Sequence, residues 1–201
     1  MRVRAPVAEF LFVSSLLAAS AMDGSPEEAG PRINVLRIEP RGSDVLIRFH
    51  LEGALNPELA RRIEAGLETT IRYDIRLYRQ FRWWFDSFVE GRTYRVTVTF
   101  DPVTREYVIS ETMDGKPLRR STTRDFSIVA QTLANGENLL VFRVAESKPH
   151  RNLYVSMRAT FDSGYLFAFI PVDTHTPWKK SRRFDIRERA RENPERTPEA
   201  P

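Results

Sequence analysis

Apolar and polar residues alternate with a period of two along most of the chain, the mark of strands with one dry and one wet face. Over 45–51, Val45, Ile47, Phe49 and Leu51 share a face that excludes Arg48 and His50. Over 70–79, Ile71, Tyr73, Ile75 and Leu77 alternate with Arg72, Asp74, Arg76 and Tyr78. Tyr94, Val96, Val98 and Phe100 do the same over 93–101, as do Leu153, Val155, Met157, Ala159 and Phe161 over 153–161. Weaker alternation marks strands at 33–39, 106–112, 138–144 and 165–172. Half-wet strands of this kind are typically antiparallel.

The turns agree with this reading. Pro40-Arg41-Gly42-Ser43 joins the first two strands, and Asp101-Pro102-Val103-Thr104 joins 93–101 to 106–112 with proline where its fixed φ helps. Asp114-Gly115 ends that hairpin, Asn135-Gly136 precedes 138–144, and Asp162-Ser163-Gly164 separates the last two strands. Two segments are helical. Asn56-Pro57-Glu58 has the form of an N-cap followed by Pro at the first helical position, with Leu59, Ile63 and Leu67 on one face. Thr122 or Thr123 caps a second helix with Asp125 in its first turn and Ile128, Val129, Thr132 and Leu133 on its apolar side. Eight strands and two short helices without a βαβ rhythm predict a mainly β fold, an antiparallel β-sandwich or partly open barrel.

The ends differ from this core. In residues 1–21, Arg2 and Arg4 precede the apolar run Phe10–Ala19, and Ala19-Ser20-Ala21 supplies small residues for signal peptidase. They read as an export signal, with an uncleaved anchor as the variant. Residues 22–31 form a polar linker rich in Gly and Pro, 32–178 a single β-rich domain, and 179–201 a charged tail too polar to repay the entropy of ordering. The chain of 201 residues has a formal charge of +4, but residues 22–178 hold 21 basic and 21 acidic groups. The excess lies in the two ends, so composition does not point to a nucleic-acid module, which needs its excess on the folded face. The absence of cysteine excludes a disulfide scaffold, a thiolate zinc site and a cysteine nucleophile.

Candidate chemistry is sparse. His50, His150 and His175 are far apart with no ligand spacing around them, and Asp173-Thr174-His175 is a pairing that any loop can hold. No nucleophile elbow, phosphate loop or dinucleotide fingerprint occurs. A carboxylate pair assembled across strands, such as Asp74 with Asp101, is the one route left to a hydrolase. No catalytic residue, metal or cofactor is expected.

The most unusual feature is the cluster Tyr78, Phe81, Trp83, Trp84, Phe85 and Phe88. Neighbours in a strand point to opposite faces, so Trp83 and Trp84 cannot both enter one core. The favoured reading gives both cover, one in the core and one under a helix or loop. The other makes Arg79, Arg82, Trp83, Trp84, Phe85 and Asp86 a contact site for a partner, glycan or acyl chain. A second group, Trp178 with Lys179, Lys180, Arg182 and Arg183, has the composition of an anchor on anionic lipid, or of a solvated tail.

Three stretches stand out together: Phe49-His50-Leu51 through Ala65-Gly66-Leu67 into Thr70-Ile71-Arg72-Tyr73, then Arg82-Trp83-Trp84-Phe85-Asp86, then Phe100-Asp101-Pro102-Val103-Thr104-Arg105-Glu106-Tyr107. In these the chain resembles the uncharacterised bacterial family known as domain of unknown function 4390. The resemblance covers residues 33–172 and implies an exported bacterial protein, with no activity attached. The expectation is therefore a non-enzymatic binding module of the cell envelope, with an envelope or membrane protein as partner and an anionic membrane surface as a further contact of the tail. A carrier or sensor of an apolar ligand and a hydrolase of scattered residues are the alternatives.

Overall fold

The computed structural model describes residues 30–53, 55, 57–144, 150–166 and 170–186, the side chains of 162–174 excepted. In chain order the elements are β1 (Arg32–Arg41), β2 (Asp44–Glu52), α1 (Pro57–Glu64), β3 (Thr69–Arg79), β4 (Ser87–Asp101) and β5 (Glu106–Met113). There follow β6 (Lys116–Thr123), α2 (Phe126–Ala134), β7 (Asn135–Arg143), β8 (His150–Leu166), β9 (Ile170–His175), β10 (Lys179–Lys180) and β11 (Phe184–Ile186). One sheet has the order β1-β2-β7, the other β10-β8-β3-β4-β5-β6, with β9 and β11 also paired to β8. The pairings are antiparallel. The large sheet curls into a half-barrel, so the fold is mainly β, as the alternation predicts.

The predicted dry faces form one core. Val45, Ile47, Phe49 and Leu51 of β2 are buried with Ile71, Tyr73, Ile75 and Leu77 of β3 and with Tyr94, Val96 and Val98 of β4. Leu153, Val155, Met157 and Ala159 of β8 join them, as do Val129 and Leu133 of α2. Each such side chain contributes about 1.5–3 kcal/mol on leaving water. The rings of Phe49, Tyr73 and Tyr94 meet at the centre, Phe49 to Tyr73 at 4.5 Å and Tyr73 to Tyr94 at 5.8 Å between centroids. α1 lays Ile63 against this core.

The structure departs from the pattern in several places: Asn135-Gly136 opens β7 instead of preceding it, and Leu67 and Ile128, expected on apolar helix faces, are exposed. Lys116–Thr123 is a strand, not the approach to a helix; seven of its eight residues are exposed, so no face alternates. α2 accordingly starts later, and Asp125 caps it by accepting from the Ser127 N–H at 2.8 Å. Asp162-Ser163-Gly164 is no turn: β8 runs through it to Leu166, with the register against β9 shifting between Asp162 and Tyr165. Finally, pairing continues beyond Trp178. Lys179 and Lys180 pair with Met157 and Ser156, Phe184 with Leu153, and Ile186 is buried. A charged stretch can take its order from a strand already in place, which bulk composition does not register. The segments read as export signal and most of the linker, and tail residues 187–201, lie outside the described residues.

Candidate functional site

β3 and β4 pair from Thr69 opposite Val98 to Arg79 opposite Ser87, leaving residues 80–86 as the tip of a long hairpin. Both ends of the tip are tied to β8. The Gln80 N–H donates to the Asn152 carbonyl at 2.9 Å. The Tyr154 hydroxyl donates to Asp86 Oδ2 at 2.7 Å. Burial, together with the Asp86 carboxylate, pushes the Tyr154 phenol well above its ordinary range, so it remains a donor. Tyr154 stacks on Tyr78 at 5.4 Å, Phe88 meets Tyr78 edge-on at 5.8 Å, and Lys180 Nζ lies 5.2 Å from the Tyr154 ring centre. Arg79 donates to His150 Nδ1 at 2.7 Å; a guanidinium has no acceptor, so this ring nitrogen accepts.

Between these ties, Arg82, Trp83, Trp84 and Phe85 project into solvent. Trp83 is 88% exposed, Trp84 81% and Phe85 92%. The four residues frame a shallow hollow of about 490 Å³. Phe81, Phe88 and Val89 extend the apolar surface. The expectation that both tryptophans find cover fails because residues 81–84 are not a strand and no neighbouring element covers this end. Contiguous exposed apolar surface of this kind marks interaction sites on soluble domains.

The second aromatic group is used differently. Two guanidiniums approach the Trp178 ring, Arg76 at 4.5 Å and Arg158 at 4.8 Å from its centre, on the wet face of the large sheet. Lys179 and Lys180 are in β10, and Arg182 and Arg183 are exposed in the link to β11. The ring is engaged within the domain and does not stand out with the basic run.

The remaining candidates stay apart. His50 Nδ1 is hydrogen-bonded to Asn135 Oδ1 at 2.7 Å, and His175 is exposed. Asp74 takes Arg158 at 3.0 Å, while Asp101 accepts the Val103 and Thr104 N–H groups of its own turn. The Val103 bond, with that of Thr104, holds Asp101 below the usual carboxylate range. Each carboxylate has a structural task, and they form no pair. Among the described residues no group of three His, Asp or Glu side chains is placed to hold a metal ion. The sequence does not reveal Tyr154 and Asn152 as the base of the tip, since alternation over 153–161 places both outside the dry face.

A family model described as Domain of unknown function (DUF4390) matches residues 28–167. No curated protein and no solved structure matches the chain.

Proposed function

The chain belongs to the family described as Domain of unknown function (DUF4390), and we propose that it works outside the cytoplasm as a binding module of the bacterial envelope. The carrying observation is the hairpin tip, where Trp83, Trp84 and Phe85 are almost fully exposed on a base held by Asp86 and Gln80. The ties at Gln80 and Asp86 fix the two ends of the tip, which presents large amphipathic rings, the residue types that dominate binding energy at interfaces. Arg82 adds a charge-assisted donor beside them. The partner is an envelope protein with an apolar groove. The export-signal character of residues 1–21 supports the location.

Two measurements test this reading. Fused to a reporter that works only after export, residues 1–31 carry it across the membrane; retention in the cytoplasm removes the location. In a Trp178→Phe background the only fluorophores of their kind are Trp83 and Trp84. Their emission shifts to the blue on adding detergent-solubilised envelope protein, and not with protein-free vesicles of envelope lipid. Trp84→Ala loses capture while its Tm stays within about 1 °C, because the removed ring touches little. Undiminished capture by Trp83→Ala/Trp84→Ala/Phe85→Ala overturns the reading.

A further inference from the structure

Two seams separate the three-stranded sheet from the large one. At one, α2 packs against β2, β4, β5, β6 and β7 and covers the opening between β6 and β7. At the other, β1 faces the β10–β11 segment. Among the described residues β1 pairs only with β2, and β10 and β11 only with β8. Each of these strands therefore presents an outer row of backbone N–H and C=O groups that no strand completes, a ready template for another chain.

A cleft of about 740 Å³ runs along this seam, lined by residues 34–39 of β1 and by Lys179, Lys180, Arg182, Arg183 and Phe184. Its apolar side chains, Leu36, Ile38 and Phe184, pack down onto the core. Its charge is one-sided, with Arg37, Lys179, Lys180, Arg182 and Arg183 against Glu39 alone. Glu39 is taken by Arg41 and Arg48, and among the described residues none of the five cations forms an ion pair.

We propose that this seam is a strand-addition site for an extended acidic segment of a partner protein. The open edge supplies main-chain hydrogen bonds, the mode by which extended peptides join exposed sheets. Side chains of a strand alternate between faces, so every second residue of the guest meets the apolar floor and the others meet the cations. A guest of alternating carboxylate and aliphatic residues satisfies all three features. A nucleic acid would use the cations but neither the backbone edge nor the apolar floor. Only Lys180, which also lies over the Tyr154 ring, is common to this site and the base of the aromatic tip, and neither reading rests on it, so either stands if the other fails.

The test titrates a fluorescein-labelled peptide of sequence Glu-Val-Glu-Val-Glu-Val-Glu into the full chain and follows anisotropy. Saturable binding is expected, with new hydrogen-exchange protection on the amides of 34–39. The Gln-for-Glu peptide binds about tenfold more weakly or worse, and so does the parent peptide to Arg182→Gln/Arg183→Gln, whose Tm is unchanged. Methylating alternate peptide amides, in the two possible phases, abolishes binding in at least one phase because one row of donors is lost. No saturable binding at millimolar peptide overturns the proposal. So does equal binding of the Gln peptide, or full binding of both methylated peptides, which would leave a plain anion contact.

Discussion

The Tyr94 hydroxyl donates to Glu111 Oε2 at 2.7 Å inside the large sheet, with the carboxylate only 4% exposed. On its other side Arg119 reaches Glu111 with two nitrogens, at 2.7 and 3.1 Å. The three residues link β4, β5 and β6 on their concave face. Burial, then the Glu111 bond and charge, push the Tyr94 phenol far above its ordinary range, so the donor never ionises in the working range of a protein. Glu111→Ala leaves that buried hydroxyl without its partner and is expected to cost about 2 kcal/mol. Tyr94→Phe leaves the carboxylate to Arg119 and costs about 1 kcal/mol. Urea denaturation of both variants checks the order; a larger loss in Tyr94→Phe contradicts it.

Gly136 is held by packing. A Cβ there would overlap the ring of Phe49, itself buried against Tyr73 at 4.5 Å between centroids. The ring has no free direction, so Gly136→Ala is expected to destabilise by about 1–3 kcal/mol, the usual range for overpacking. Thermal denaturation of Gly136→Ala with Phe49→Leu shows the clash directly, since the double variant should lose less than the two single losses combined.

Asp114 gives the fold part of its acid sensitivity. Burial alone would raise its carboxyl, but the Thr93 N–H at 2.8 Å and the Arg92 guanidinium at 2.9 Å outweigh that and hold it below the ordinary 3.8. A carboxyl lowered by folding stabilises the native state fully above about pH 5, and that contribution fades as pH falls through the folded value. Asp114→Asn is therefore less stable than the parent at neutral pH, and the difference shrinks below pH 3.8. Tm against pH for the two proteins measures this; parallel curves would disprove the assignment.

Strands β10 and β11 carry the fold past Trp178 to Ile186, which is 5% exposed. Truncation after Trp178 removes β10, β11 and that buried side chain. It is expected to lower stability by about 2–4 kcal/mol relative to truncation after Ile186, the cost of emptying a buried aliphatic site. Equal urea midpoints for the two truncations would show that β10 and β11 contribute nothing.

Much of this was legible residue by residue. Ile71, Tyr73, Ile75 and Leu77 were assigned to a dry face because Arg72, Asp74 and Arg76 cannot share it, and all four are buried. Asp101-Pro102 marked the β4–β5 turn, and Pro57 opens α1. Asp114-Gly115 carried more than was taken from it. Both residues have positive φ, 51° and 78°, and they link β5 directly to β6. That dipeptide is among the strongest short signals for a hairpin, and it points onward to a strand that the polar stretch after it conceals. For the hairpin tip, sequence reasoning found the residues but not their exposure, because alternation was applied to Trp83 and Trp84 in a segment that is not a strand.

By itself, the sequence determined the central strand faces, the core they form and the turns at Gly42, Asp101-Pro102 and Asp114-Gly115, because alternation records which side of a residue meets water. The tertiary structure alone decided what lies at the margins. β6 and β10 are exposed along their length and leave no alternation, and β11, with Phe184 and Ile186 turned to the core, is only three residues long; all three take their order from a neighbour's backbone. The exposure of Trp83 and Trp84 and the opening of the β1 seam depend on where the curled sheet ends, and that is set by pairings between residues far apart in the chain.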